Sequence, residues 1–363
     1  MEPVRVVVAG CGLVAEFSHL PALAKLADDV EVVGLVDPSP VRREICARRA
    51  PLAATFADLG DALAALSPDE VVVASPAEFH LENTLASLGA GAHVICEKPM
   101  ALTSAACTEM IGAAEAADRL LGVGLMRRFF PSVQAIASIV SNGVLGAPVS
   151  FAVLEGVPFG WPGKSAHPFR RGAGGGVLFD SGPHLVDVLL FWFDDLELAD
   201  YADDAMGGVE ANCRFRLTGA GGVTGTVRLS RDTFLSNRHL IQCERGWVIY
   251  QYDVSDRFYW GWNGSPTANC VMLSEPGWDR PMWASPDPQL QVPRALSAAF
   301  VAQHRNMTDA IRGTASLLVS AREAAAGIAL LESCHASRRL MDMPWMDPDE
   351  IARATELERK IPA

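Results

Sequence analysis

Asp180 and His184 stand four residues apart in the run Gly174-Gly175-Gly176-Val177-Leu178-Phe179-Asp180-Ser181-Gly182-Pro183-His184. On a helix they would share one face, and Asp187 would continue it one turn later. Histidine is the side chain whose proton affinity lies nearest neutral pH, which suits it to take a proton from a hydroxyl group. Lys98, in Cys96-Glu97-Lys98-Pro99, carries a positive charge that can stabilise an oxygen as it becomes an alkoxide. An aspartate beside such a pair orients or tunes it. These residue types suit one operation, the removal of a secondary alcohol's proton while its carbon-bound hydrogen leaves as hydride. The operation needs a hydride acceptor, and the start of the chain offers a place for one.

Gly10-Cys11-Gly12-Leu13-Val14-Ala15 follows the strand-like run Val4–Ala9, and Asp37 ends the next such run, Glu31–Val36. Strand, glycine turn, helix, strand and acid in that order make a βαβ unit for a dinucleotide. Gly10 permits the tight turn, Gly12 lets backbone approach a pyrophosphate, and Ala15 allows close helix–strand packing. The pyrophosphate would lie at the N-terminus of the following helix, beside Leu13 and Val14, where unpaired N–H groups favour an anion. Asp37 would accept hydrogen bonds from the ribose hydroxyls and repel a 2′-phosphate, which favours NAD over NADP. Arg42 and Arg43 are the opposing feature, since a guanidinium can accommodate that phosphate.

The elements that would position these groups are readable from periodicity. Strand-like runs alternate with alanine-rich amphipathic stretches: helices near 41–49 and 56–66, a buried strand over 70–76, a helix near 81–88, a strand over 93–96, a helix over 104–117 and a strand over 120–125. Such alternation predicts a doubly wound parallel sheet over residues 1–123. Lys98 then emerges at the carboxyl edge of that sheet, where α/β folds bind ligands. A second domain is expected over 124–363. It opens with a helix from Pro131 to about Ser141, and its alternating texture from 148 to about 252 predicts a largely antiparallel sheet covered on one face. Residues 253–293, rich in proline and aromatics, read as irregular, and two helical stretches over 295–312 and 320–339 finish the chain.

Half of the 363 residues are hydrophobic and a fifth are charged, so a sizeable core is expected. A formal charge of -13 argues against nucleic-acid binding and provides no basic tract for a membrane surface. The apolar run Val186–Phe193 falls well short of the ~18 residues of a membrane span. The start, Met1-Glu2-Pro3, lacks the basic region of a signal peptide. Eight cysteines are scattered without CxxC or zinc-type pairing, so no metal site is expected and a reducing cytoplasm is.

The chain resembles the glucose–fructose oxidoreductase / inositol dehydrogenase (Gfo/Idh/MocA) family. The likeness is carried by Gly10-x-Gly12-x-x-Ala15, Asp37, Ser75-Pro76 with His80, Glu97-Lys98-Pro99, and Gly175-Gly176-x-Leu178-x-Asp180-x-Gly182-x-His184. Gly124-Leu125-Met126-Arg127-Arg128-Phe129 is similar to the segment by which inositol dehydrogenases enter their second domain, and Ile311-Arg312-Gly313 to the family's C-terminal end. The resemblance implies an α/β fold, with an N-terminal Rossmann domain and a C-terminal α/β domain built on an open, mostly antiparallel sheet. It implies NAD across the first domain, a sugar, cyclitol or nucleotide-sugar substrate between the two, and a homodimer or homotetramer. By motif position, Lys98, Asp180 and His184 would be catalytic, with His184 the proton acceptor. Gly10, Gly12, Leu13, Val14, Asp37, Ser75, Pro76, His80, Glu97 and Lys98 would line the cofactor. The Lys98–Pro99 bond would be cis.

Other positions stay open. Arg127, Arg128, Lys164, Arg170 and Arg171 could contact a substrate phosphate or carboxylate, or be plain surface cations. His19 and His80 read as structural or cofactor-adjacent. The segment from Trp247 to Trp283 holds five of the eight tryptophans, which suit sugar stacking and subunit interfaces equally. Two other functions compete with the NAD-dependent dehydrogenase. One is glycoside cleavage through transient oxidation by a retained NAD, and the other is a non-catalytic NAD-binding regulator.

Overall fold

Val4–Ala9 (β1) is apolar apart from Arg5 and forms the middle of a six-stranded sheet. After it come a helical segment ending in α1 (Leu20–Ala24), β2 (Val30–Val36), α2 (Pro40–Ala47), β3 (Ala54–Phe56) and α3 (Leu59–Leu66). Then follow β4 (Glu70–Val73), α4 (His80–Gly89), β5 (His93–Cys96), α5 (Ser104–Ala117) and β6 (Leu121–Val123). All pairings are parallel. The order β3-β2-β1-β4-β5-β6 is that of a dinucleotide-binding Rossmann sheet. Val6, Val7, Val8, Val71, Val72, Val73 and Val94 have no exposed surface. Helices cover both faces of the sheet, so its central strands are continuous apolar runs rather than alternating ones. Ser39, Asp58 and Thr103 cap α2, α3 and α5 with side-chain oxygens.

The rest of the chain comprises α6 (Pro131–Ser141), β7 (Pro148–Gly156), α7 (Val177–Phe193), β8 (Leu196–Asp203), β9 (Asn212–Gly219), β10 (Thr224–Ser230), β11 (Arg238–Cys243), β12 (Gly246–Tyr252), β13 (Asp256–Trp262) and β14 (Asn269–Met272). These precede the short pair β15 (Trp278–Asp279) and β16 (Val292–Pro293), α8 (Arg294–Ile311), α9 (Ala321–Ala336), β17 (Arg339–Leu340) and α10 (Pro348–Arg359). A nine-stranded sheet runs β14-β13-β12-β11-β7-β10-β9-β8-β17. It is antiparallel except where β10 meets β7 and β17 meets β8. Along β9, Cys213, Phe215 and Leu217 are buried while Arg214, Arg216 and Thr218 are exposed, the alternation expected of a sheet covered on one face.

This computed structural model describes residues 2–160, 166–252, 256–275, 277–279 and 292–359. The chain forms two compact units, one of residues 1–130 with 276–328 and the other of 131–275 with 329–363. The expected second domain of 124–363 is therefore corrected. Residues 276–328 belong to the first unit, because α8 packs against α1 and the Met126–Phe129 turn. The stretch 253–293, expected to be irregular, contributes β13 and β14 to the sheet, and α10 was not expected at all. The helical stretch Arg171–Phe193 is, at 23 residues and mean hydropathy 1.2, long and apolar enough to cross a bilayer. Its most apolar window is 78% buried in the fold, so it reads as a core helix, and Asp180, His184 and Asp187 had hidden its length in the sequence.

Candidate active site

β1, β2, β4 and β5 end at one edge of the first sheet, and the turns leaving them carry Gly10, Asp37, Ser75 and Glu97-Lys98 respectively. Strand order reverses between β1 and β4, the place where open α/β sheets bind ligands. Gly10 donates its N–H to the Val36 carbonyl at 2.7 Å and has φ +105°. A Cβ there would stand 2.5 Å from the Ala74 carbonyl, so only glycine fits. Gly12 faces open space, its nearest neighbour being the Ala74 carbonyl oxygen 4.0 Å from a built Cβ, which leaves room for a ligand to approach the backbone. Leu13 and Val14, both half-buried, begin the helical segment after it.

Asp37 is half-buried at the end of β2, and its two oxygens accept the Cys11 and Ser39 N–H groups at 2.9 and 2.8 Å. The two neighbouring arginines are engaged. Arg42 donates to the Cys11 carbonyl at 2.7 Å and pairs with Glu16 at 2.8 Å, while Arg43 donates to the carbonyls of Asp37 and Pro38. The glycine cradle, the fixed acid and the committed guanidinium groups fit a dinucleotide with a free 2′-hydroxyl.

On the other side of the reversal, Ser75 accepts from Asn83 at 2.9 Å, and Pro76 is exposed. His80 is buried, with Nε2 at 2.8 Å from the Ser75 carbonyl and Nδ1 at 2.8 Å from the Pro99 carbonyl. It ties the turn after β4 to the turn after β5, and burial pushes its pKa down. The Lys98–Pro99 peptide is cis. Lys98 is half-buried, and its N–H donates to Glu97 Oε2 at 3.1 Å. Glu97 lies against Gly124, where any Cβ would come within 2.6 Å of Oε1. Burial works to raise the Glu97 pKa, but the hydrogen bond from His19, then the Lys98 charge and N–H, outweigh it and hold the carboxyl below its usual range.

In the second unit, α7 brings Asp180 and His184 onto one face, as their spacing predicts. Glycines allow the sharp entry to that helix. Gly176 has φ +103°, and a Cβ there would lie 2.1 Å from Glu210 Oε1. Glu210 caps the helix, its carbonyl accepting from Val177 N–H at 3.0 Å and its carboxylate from Leu178 N–H at 2.9 Å. Burial raises the Glu210 pKa to about 7. Asp180 is held by Arg231, which leaves the end of β10 and donates to Oδ2 at 2.9 Å. The same guanidinium donates to the Pro168 carbonyl at 2.8 Å and sits 4.7 Å from the Phe159 ring centre, with Phe169 at 5.9 Å. Asp187 is buried further along the helix.

Of the three residues singled out in the sequence, Lys98 lies in the first unit and Asp180 and His184 lie in the second. Sequence reasoning missed Arg231 and Glu210, which come from other elements and carry no local signal. The proposed anion contacts separate. Arg128 is buried inside the first unit, paired with Glu323 and donating to the Leu318 carbonyl at 3.3 Å, so its guanidinium is committed to packing rather than to a ligand. Arg127 is likewise buried. Arg170 is exposed, Arg171 is half-buried, and Lys164 lies outside the described residues.

Comparison with known proteins agrees with this architecture. Residues 4–125 match the model of an oxidoreductase family with an NAD-binding Rossmann fold, and residues 133–249 match the GFO/IDH/MocA C-terminal domain. D-glucoside 3-dehydrogenase of Escherichia coli is 33% identical over 190 residues, 52% of this chain and 54% of that protein. Inositol 2-dehydrogenase of Ralstonia nicotianae is 31% identical over 144 residues, 39% and 42% of the two chains. The chain thus spans about half the length of the curated relatives it matches. A 3-ketoreductase from Actinomadura kijaniata, solved with NADP and TDP-benzene, shares the fold at TM-score 0.78 and 21% identity, over 94% of this chain and all of that one. With both family models matched, over well more than half of its length, the chain belongs to the Gfo/Idh/MocA oxidoreductase family.

Proposed function

We propose that this protein uses NAD to oxidise a ring secondary hydroxyl of a sugar, cyclitol or nucleotide sugar, or to reduce the matching ketone. The observation that carries the reading is the order of turns along one sheet edge: Asp37 after β2, Gly10 after β1, Ser75 after β4 and Lys98 after β5. A dinucleotide whose adenosine ribose meets Asp37 and whose pyrophosphate meets Gly10–Gly12 would carry its nicotinamide toward Lys98. The names of the glucoside and inositol dehydrogenases support the substrate class.

NAD, when bound, supplies the hydride acceptor. In this reading His184 takes the hydroxyl proton, and Lys98 stabilises the oxygen as it gains negative charge. Asp180, one helical turn from His184 and held by Arg231, would orient that histidine. The committed Arg42 and Arg43 favour NAD over NADP. The eight free cysteines, seven of them buried, suit a reducing compartment such as the cytoplasm. The solvent face of the second sheet, with a cavity of about 470 Å³ beside Ala152 and Leu240, suits assembly with a second copy.

The test is a reduction assay with NAD against methyl β-D-glucopyranoside, myo-inositol and a panel of nucleotide sugars, with NAD and NADP binding measured in parallel. NADH formation with any of them supports the dehydrogenase. Glycoside cleavage without net NADH would transfer the reading to transient oxidation. Tight NAD binding with no turnover on the whole panel would overturn it in favour of a regulator, and tighter NADP than NAD binding would overturn the cofactor preference.

A further inference from the structure

Behind Lys98 runs a row of buried titratable groups that the proposed reaction leaves unused. Glu97 Oε1 meets His19 Nε2 at 2.9 Å, and His19 Nδ1 meets His304 Nε2 at 3.0 Å. His304 Nδ1 faces Glu70 Oε1 at 4.0 Å. His19, His304 and Glu70 are at most 1% exposed. All belong to the first unit, yet they come from the segment after the glycine turn, the end of β5, α8 and the start of β4.

Proton counting gives the row a direction. The Glu97 carboxylate accepts the Lys98 N–H with one oxygen, and the other faces His19 Nε2, which donates to it. With one proton on its ring, at Nε2, His19 presents a lone pair at Nδ1, to which His304 donates from Nε2. Burial keeps the His304 pKa well below the ordinary value, which agrees with a neutral ring. That leaves a lone pair on His304 Nδ1. Neither this atom nor Glu70 Oε1 has a hydrogen-bond partner among the described residues. Burial, then the charge of Asp69, pushes the Glu70 carboxyl up to about 8, so near neutral pH it carries a proton to point at that lone pair. The groups facing the row are Asp69 beside Glu70, Lys98 and the buried His80 beside Glu97, and the edge of Phe300, 5.1 Å from the His19 ring.

We propose that His304, His19 and Glu97 form a one-way hydrogen-bond chain by which His19 fixes the Glu97 carboxylate and, through it, the backbone of Lys98. His19 is thus a positioning residue. Its importance for turnover rests on the function proposed above, but its hydrogen-bond direction does not, and the two are measured separately.

The first measurement is side-chain nitrogen NMR of the ligand-free protein with labelled histidine. His19 and His304 should both be neutral Nε2–H tautomers between about pH 6 and 7.5, and the His304 signals should shift with a midpoint near 8 as Glu70 ionises. In Glu70→Gln, whose amide can donate in place of the carboxyl, the tautomers should persist and the shift near pH 8 vanish. An Nδ1–H or doubly protonated His19 in the wild type, or an unchanged shift in Glu70→Gln, overturns the chain. The second measurement uses NAD with methyl β-D-glucopyranoside or myo-inositol, whichever the wild type oxidises. His19→Leu should lower kcat at least tenfold per folded molecule while KM for NAD stays within twofold, and His19→Gln, which can still donate to Glu97, should recover most of the loss. His304→Leu, which removes only the donor to His19, should give an intermediate loss and serves if His19→Leu does not fold. Equal kcat in all variants refutes positioning. A wild type inactive on both alcohols counts against the proposed substrates, and the NMR result still decides the chain.

Discussion

Replacing Arg231 isolates how Asp180 is held. The pair joins a guanidinium only 8% exposed to a carboxylate 45% exposed, at 2.9 Å. Fully exposed pairs contribute about 0.2–1 kcal/mol, while stripping one partner from a fully buried pair costs roughly 3–5 kcal/mol. With water reaching one side of Asp180, the coupling should fall low in that interval, at about 1–1.5 kcal/mol. Arg231→Met loses more than this. It also forfeits the bond to the Pro168 carbonyl, about 1 kcal/mol, and the face of Phe159, roughly 0.5–2 kcal/mol. Those losses do not involve Asp180, so they cancel in a double-mutant cycle with Asp180→Asn. The readout is amide hydrogen exchange along α7, which follows local opening without requiring both units to unfold together. A coupling of that size corresponds to about a tenfold departure from additivity in protection. Additivity within about 0.5 kcal/mol would show that the ion pair does not hold Asp180, and Arg231 would then be a packing residue for the 167–176 turns. Arg231→Lys should recover little, because an ammonium cannot span Pro168 and Asp180 as a planar fork does.

The remaining predictions concern the other groups of the site. His184→Ala should lower kcat by about 10²–10⁴-fold with NAD affinity nearly unchanged, and a parallel loss of NAD binding by calorimetry would reassign the residue to structure. Lys98→Met should reduce kcat and kcat/KM together, by roughly 10²–10³-fold, the mark of an interaction made mainly in the transition state. A variant with wild-type kcat would refute that role. Glu210 has a pKa near 7 in the folded chain against an ordinary 4.5, so the folded state binds its proton more tightly. Its contribution to stability is full below about 4.5 and is lost as pH rises to about 7. His335, 3.9 Å away and pushed down to about 4 by burial, acts in the opposite sense, its contribution being lost as pH falls from 6.5 toward 4. Glu210→Gln should therefore remove the decline in α7 protection between about pH 5 and 7 while retaining the acceptor for Leu178, and an unchanged decline would place its origin elsewhere.

What the sequence disclosed follows the range of the physical signal. The helices over 104–117 and from 131 to about 141 were legible, and in the structure Thr103 caps the first and Pro131 opens the second. The doubly wound sheet was legible because its central strands are covered on both faces and so read as unbroken apolar runs. Packing partners were not. Amphipathicity says that α8 buries one face, not which sheet it lies against, so 276–328 was assigned to the wrong unit. The same limit hid Arg231, 51 residues from the aspartate it holds, and His304, 285 residues from His19. Glu97-Lys98-Pro99 is a local motif, but its carboxylate is satisfied by a histidine beside the glycine turn, and that histidine by one from α8. The lysine is thus named by three consecutive residues, whereas its backbone is tied to a helix near the far end of the chain. A change on α8 that touches neither Lys98 nor the glycine turn should reach both through His304 and His19.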